Sequence, residues 1–344
     1  MKPNICITMG DPAGIGAEIT VKALGNSSIY DRCRPIVVGD TQALEEAVSF
    51  TGSSLKLHKI TRPGEAASAF GIIDYIDLGL LAPRSWEYKQ VNPLCGKAAY
   101  KYIEKGIGLA LAGSVDAVVT GPISKESLHL AGYHFSGHTE IFAELTGTKD
   151  YAMFLCSETL RVIHVTTHVS MREACDRITT ERVYTVIRLA DETMRLLGVE
   201  RPRIGVAGFN AHSSENGLFG DQEEKAIIPA ISEAAKQGFC VDGPVPPDTV
   251  FVKAMAGQYD IVVAMYHDQG HIPVKLSGFK LDTATNRYTS VSGVNCTVGL
   301  PIIRSSVDHG TAFDRAGEGR ANEESMVDAI LMALRMSENR KSAK

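Results

Sequence analysis

The chain has 344 residues, 44% hydrophobic and 22% charged, with a formal net charge of −5. That composition suits a globular protein large enough for two lobes, and its negative balance argues against nucleic-acid binding through phosphate contacts. No apolar stretch approaches the roughly 18 residues of a membrane span, and no signal peptide is legible at Met1 to Asn4. Seven scattered cysteines without a C-x-x-C point to reduced thiols in the cytoplasm.

Taken in chain order, the pattern alternates strand and helix. Asn4 to Met9 predicts a strand, and Thr8-Met9-Gly10-Asp11-Pro12-Ala13-Gly14-Ile15-Gly16 leads into a helix over Gly16 to Leu24. These glycines allow either a tight turn or a cradle for an anion at the helix start. Their spacing is neither G-x-G-x-x-G nor a P-loop. Pro35 to Val38 predicts a strand, Thr41 to Phe50 a helix, Gly96 to Ala112 a long helix and Ala117 to Thr120 a strand. Gly137-His138-Thr139-Glu140 precedes a helical pattern over Thr139 to Thr146, where Thr139 is placed to cap the helix and leave N–H groups facing an anion.

Three later apolar runs each end in a histidine. Leu160 to Val165 leads to His168, Ile204 to Phe209 to His212, and Ile261 to Tyr266 to His267. Such short runs rich in Val and Ile read as buried strands of a parallel sheet. Ligands of open α/β sheets bind beyond the carboxyl ends of the strands, so the three imidazoles are candidates to meet at a metal ion. Helices are expected near Thr180 to Leu197, Glu223 to Gln237 and Glu323 to Met336, with Arg335 to Lys344 a frayed basic tail. Tyr266-His267-Asp268-Gln269-Gly270-His271 is the densest polar cluster, and Lys275, Asn295 and Arg304 follow it. Lys and Arg near a metal suggest an anionic substrate. His58, His129, His134 and His309 lack such context and read as structural or surface residues. Alternating strands and helices imply an α/β fold with mostly parallel sheets and two lobes. The expected division is 1–130 plus 300–344 for a discontinuous first lobe and 131–299 for the second, which carries the metal ligands.

These segments together resemble the 4-hydroxythreonine-4-phosphate dehydrogenase (PdxA) family. The resemblance rests on Ile7 to Gly16, Gly137 to Glu140, Thr167-His168, Pro247-Asp248-Thr249, Ala264 to Gly270, Gly293-Val294-Asn295 and Ser306 to Thr311, in family order. It implies a two-lobed fold similar to the isocitrate and isopropylmalate dehydrogenases, with active sites in the interlobe cleft at a homodimer interface. It further implies one divalent ion (Zn, Mg, Mn or Co) on His168, His212 and His267, one of these from the partner subunit. Substrate positions carry over to His138, Thr139, Lys275, Asn295 and Arg304; Lys275, Asp248 and Asp268 become catalytic candidates.

The reaction implied is oxidation of the 3-hydroxyl of a 4-phosphorylated 3-hydroxy acid, with hydride passing to NAD (or NADP), followed by decarboxylation. The resemblance is closer to the 4-phospho-D-threonate and 4-phospho-D-erythronate subgroup, on Gly257 to Asp260 and Gly270 to Pro273. The alternative is 4-phosphohydroxy-L-threonine of vitamin B6 biosynthesis. A zinc hydrolase with three His ligands, a phosphate acyltransferase and a binder without catalysis are the remote readings. The chain departs from the family at Ala17, at Asn210-Ala211-His212-Ser213-Ser214-Glu215, and in a longer segment from Lys280 to Ser292. That last segment either reshapes the pocket or lies outside it as a hairpin.

Overall fold

The structure, a computed structural model, describes residues 2–83, 85–283, 287–291 and 293–342. The chain divides into two compact units, 1–148 with 300–344, and 149–299.

In the first unit the chain runs β1 (Asn4–Thr8), α1 (Gly16–Ala23), α2 (Ser27–Arg32), β2 (Arg34–Gly39), α3 (Thr41–Phe50), β3 (Lys56–Ile60) and β4 (Ile72–Asp77). It continues through α4 (Pro93–Leu111), β5 (Ala117–Thr120), α5 (Lys125–Leu130) and α6 (His138–Thr146). The second unit holds β6 (Ala152–Cys156), β7 (Arg161–His164), α7 (Met171–Arg177), α8 (Thr180–Leu196), β8 (Arg203–Ala207), α9 (Ile228–Lys236) and β9 (Cys240–Val245). After these come α10 (Val250–Met255), β10 (Ile261–Ala264), α11 (His267–Gly278), β11 (Phe279–Asp282), β12 (Arg287–Val291) and β13 (Val294–Val298). The chain then returns to the first unit with β14 (Ile303–Val307) and α12 (Glu324–Ser342).

The first unit orders its strands β3-β4-β2-β1-β5-β14, all parallel. The second orders them β13-β6-β7-β10-β8-β9, antiparallel between β13, β6 and β7 and parallel from there on. Both are mostly parallel α/β sheets, as the alternating pattern predicts. Strands buried on both faces must be apolar throughout, and Ile5 to Ile7, Val118, Val119, and Ile261 to Ala264 are fully buried.

Local sequence explains the helices that cover these sheets. α8 buries Val183, Val186, Ile187, Ala190 and Met194, the spacing of one helical face. Its start is fixed by Thr179, whose side chain accepts the Arg182 N–H at 3.2 Å. α4 begins at Pro93 rather than Gly96, because Asn92 caps it by accepting the Leu94 N–H at 2.8 Å and Pro93 occupies the first turn.

One further expectation is corrected, and one open alternative is decided. The basic tail is helical through Ser342, since Arg340 donates to the Pro301 carbonyl at 2.6 Å and Lys341 pairs with Asp116 at 2.7 Å. The glycine-rich segment after β1 is a packed turn. Gly10 has φ +84° and lies against the Pro122 carbonyl, where a Cβ would come within 2.4 Å. The backbone N–H groups of Asp11, Ala13, Gly14 and Ile15 are spent on Pro122 O, Asp11 Oδ1, Asp11 O and Thr311 O.

β11 and β12 form a separate antiparallel two-stranded ribbon, with Phe279 opposite Val291 and Asp282 opposite Arg287. The described residues of the Lys280 to Ser292 segment therefore belong mostly to this ribbon, while residues 284–286 and 292 lie outside the described residues. Among the described residues no helix is long and apolar enough to cross a membrane.

Candidate active site

β7, β10 and β8 are hydrogen-bonded neighbours running parallel. The segments bearing His168, His267 and His212 therefore leave the same sheet edge, the edge at which open α/β sheets bind ligands. The rings of His168 and His267 lie 5.8 Å apart between centroids. Two imidazoles sharing one ion have ring centres about 3 Å from it, so this separation fits a shared ion. His267 Nδ1 meets the Asp268 carboxylate at 2.6 Å. A carboxylate on Nδ1 fixes the tautomer that presents Nε2 to a metal, and imidazole nitrogens suit zinc or another transition ion.

His212 stands apart. It opens a run of left-handed backbone over His212 to Asn216, and its ring lies 6.4 Å from that of Phe219. Among the described residues no three His, Cys, Asp or Glu side chains are grouped to hold a metal. One chain thus brings together two of the three candidate ligands.

Two more histidines extend the pair: His271, which the sequence placed in its densest polar cluster without a role, and His164, which it did not single out. His271 stacks on His267 with centroids 3.6 Å apart and planes within 12°, its Nδ1 donating to the His267 carbonyl at 2.9 Å. Behind it His164, fully buried at the end of β7, lies 4.8 Å from His271 and bonds the Met153 carbonyl through Nδ1 at 3.2 Å. Burial pushes His164 down to about 4, and burial together with the charges of His164 and His267 pushes His271 down to about 2. Both are neutral near pH 7. A histidine inside an apolar strand run was the available signal for His164.

Asp248 and Asp268 line one groove of about 580 Å³, together with Phe251, Tyr266, Gln269 and Leu276. Lys275 lies two turns along α11 from His267, with its Nζ 5.6 Å over the Phe279 ring. Asn295 sits in β13 opposite Leu155.

The remaining candidates belong to the first unit. Arg304, 3% exposed in β14, donates to Thr120 Oγ1 at 2.9 Å and lies 5.6 Å over the Phe142 ring. Burial, and then the Arg304 charge, hold His138 well below the ordinary imidazole value, and its buried Nε2 has no hydrogen-bond partner. Residues 166 positions apart are thus joined electrostatically into a neutral imidazole and a buried guanidinium, groups that complement an anion. Thr139 is not the helix cap. Gly137 occupies that position without a side-chain cap bond, and Thr139 lies buried in the first turn of α6. The N–H groups at this helix start add to the positive potential.

Residues 31–333 match the sequence profile of the family described as Pyridoxal phosphate biosynthetic protein PdxA. The chain is 48% identical over 336 residues to the D-threonate 4-phosphate dehydrogenase of Salmonella typhimurium, covering 97% of this chain and 99% of that one. A 4-hydroxythreonine-4-phosphate dehydrogenase from Klebsiella pneumoniae matches in structure with a TM-score of 0.85 and 44% identity, over 98% of this chain and 100% of that one. A β-decarboxylating dehydrogenase from Thermococcus kodakarensis, 15% identical with a TM-score of 0.51, covers 97% of this chain and 82% of its own and shares the fold.

Proposed function

The chain belongs to the PdxA family, and from that premise we propose that it oxidises the 3-hydroxyl of a 4-phosphorylated 3-hydroxy acid. It is an oxidoreductase of the kind that acts on CH–OH groups. The substrate we propose is 4-phospho-D-threonate or 4-phospho-D-erythronate. Hydride leaves C3 for NAD or NADP, the hydroxyl proton is released, and the resulting β-keto acid loses carbon dioxide to give dihydroxyacetone phosphate. The observation that carries this reading is the similarity, along nearly the whole chain, to the Salmonella enzyme.

The chain's own residues supply binding and orientation. Arg304 and His138, with Thr139 at the α6 N-terminus, hold the phosphate. Arg304 gives a fixed, buried positive charge that complements a phosphate. Lys275 anchors the carboxylate, Asn295 contacts the substrate, and Asp248 and Asp268 hold or move protons at the edge of the groove. His168, His267 and His212 would hold a divalent ion, zinc being favoured by the imidazole set over Mg, Mn or Co. Such an ion, when bound, polarises the substrate oxygens.

A single chain does not group the three histidines, which supports a homodimer whose sites draw on both copies. The apolar side of the α10–α11 groove supports the same reading, with Val252, Met255, Ile272 and Leu276 between 51% and 79% exposed. All seven cysteines lie outside disulfides, which supports a cytoplasmic location.

The test is NADH formation by zinc-loaded protein, offered 4-phospho-D-threonate, 4-phospho-D-erythronate and 4-phosphohydroxy-L-threonine in turn. A preference for either sugar acid is expected. Preference for the amino substrate would move the enzyme to the alternative that its Klebsiella relative's name suggests. Silence with all three would refute the substrate class.

A further inference from the structure

β8 and β10 are hydrogen-bonded neighbours, and one leads to His212 while the other leads to His267. The last paired residues are Val206 and Val263, so beyond them the ladder does not fix how the two segments lie. One side chain ties them together there. Gln269, buried in the first turn of α11, accepts the Met265 N–H through Oε1 at 2.6 Å. Its Nε2 donates to the Gly208 carbonyl at 2.8 Å. Met265 follows β10 and Gly208 follows β8, so one amide spans both exits. A carboxylate has no donor and an ammonium no acceptor, so neither meets both demands.

The hold on Gly208 is carried forward. The buried Glu223 carboxylate accepts the N–H groups of Phe209 and Asn210, each at 2.7 Å, and the Asn210 side-chain amide at 2.8 Å. Immediately beyond, His212, Ser213, Ser214, Glu215 and Asn216 have φ of 51°, 54°, 66°, 48° and 58°. None of the five is glycine, and such backbone persists only where its surroundings over-determine it. The anchors at 208, 209 and 210 are that over-determination on the upstream side.

We infer that Gln269 is a positioning residue, fixing the His212 segment against the His267 segment and thereby setting the metal affinity of the site. The inference rests on the metal-site reading above. It holds whichever copy of the chain each histidine serves, because the amide fixes both segments within one chain.

Two variants test it. Gln269→Glu keeps the shape and the acceptor for Met265 but turns an oxygen towards the Gly208 carbonyl. Gln269→Met keeps the length and removes both bonds. Zn²⁺ is titrated into the full metal-free chain against a chromophoric chelator, and the Co²⁺ absorption spectrum is recorded alongside. Loss of a partner that orients ligands typically weakens metal binding about 10–100-fold, and that loss is expected in both variants. The Co²⁺ bands should shift, while the metal-free far-UV circular dichroism and Tm stay those of the native chain. Affinity within about threefold of native would overturn the inference, being below that range. So would two variants that fail to fold without metal, since Gln269 would then be a folding residue. His267→Ala is the control for the underlying reading. If it binds Zn²⁺ as the native chain does, or the native chain binds none, the metal site itself falls and the inference with it.

Discussion

Asp11 shows how much a single side chain can conceal from sequence. It stands in a glycine-rich segment that invites an anion, yet it is fully buried, with Oδ1 accepting the Ala13 N–H at 2.9 Å. Burial pushes its carboxyl from 3.8 up to about 6. Between those values the native state keeps a proton that the unfolded chain has released. Native stability therefore falls as pH rises from about 4 to about 6, then stays lower by ~3 kcal/mol, at about 1.4 kcal/mol per pH unit. Asp11→Asn keeps the acceptor without the charge. Its stability gain over the native chain should be near zero at low pH, within reach of the unfolded pKa, and should grow to ~3 kcal/mol near neutrality. Urea melts at each pH measure it. A gain equal at both ends of the range would show that the buried charge is not the cause. Arg304 makes the companion point: nothing around it in sequence reveals that it lies buried with Thr120 and Phe142, because the three meet only through the sheet and α6.

Elements were legible where burial imposes a simple pattern. β7, β8 and β10 are continuous apolar runs because both their faces are covered, and α8 shows its period because one face is. β3 escaped notice because it is an edge strand, exposed or half-buried over Lys56 to Lys59, so its residues answer to solvent rather than to a core. α11 escaped because it carries Gly270, Pro273 and Gly278, residues that read as a loop. Its geometry explains Gly270. A Cβ there would lie 2.3 Å from Nε2 of the buried His164. Alanine normally gains ~1 kcal/mol over glycine within a helix, but overpacking costs ~1–3 kcal/mol, and at this distance the overpacking wins. Gly270→Ala should therefore lower the Tm by about one to three degrees. Gly108→Ala, in α4 with nothing within 4 Å of the added Cβ, should leave it level or raise it. Matching shifts in the two variants, read by calorimetry, would mean that the His164 contact is not what selects glycine.

At the scale of the whole molecule, the histidine pattern placed the candidate site at one sheet edge but could not say how many chains build it. That limit is physical: strand ends fix which residues leave an edge, not which copy completes a coordination sphere. The exposed side chains of α10 and α11 are the nearest thing to an answer. Leu276 is 79% exposed and Val252 67%, on the groove that also holds Asp248 and Asp268. Leaving such residues in water forfeits ~1.5–3 kcal/mol each relative to burial, so a second copy covering them is favoured. Light scattering during gel filtration should give the native chain twice the mass of one 37.0 kDa chain. The double variant Val252→Glu with Leu276→Glu places carboxylates in the proposed interface and should elute at the mass of a single chain, with unchanged circular dichroism. If the sites are shared, the same variant should lose zinc affinity even though no histidine has been altered. A native monomer that binds zinc at full affinity would place all the ligands within one chain, and would require the His212 segment to leave its left-handed conformation to join His168 and His267.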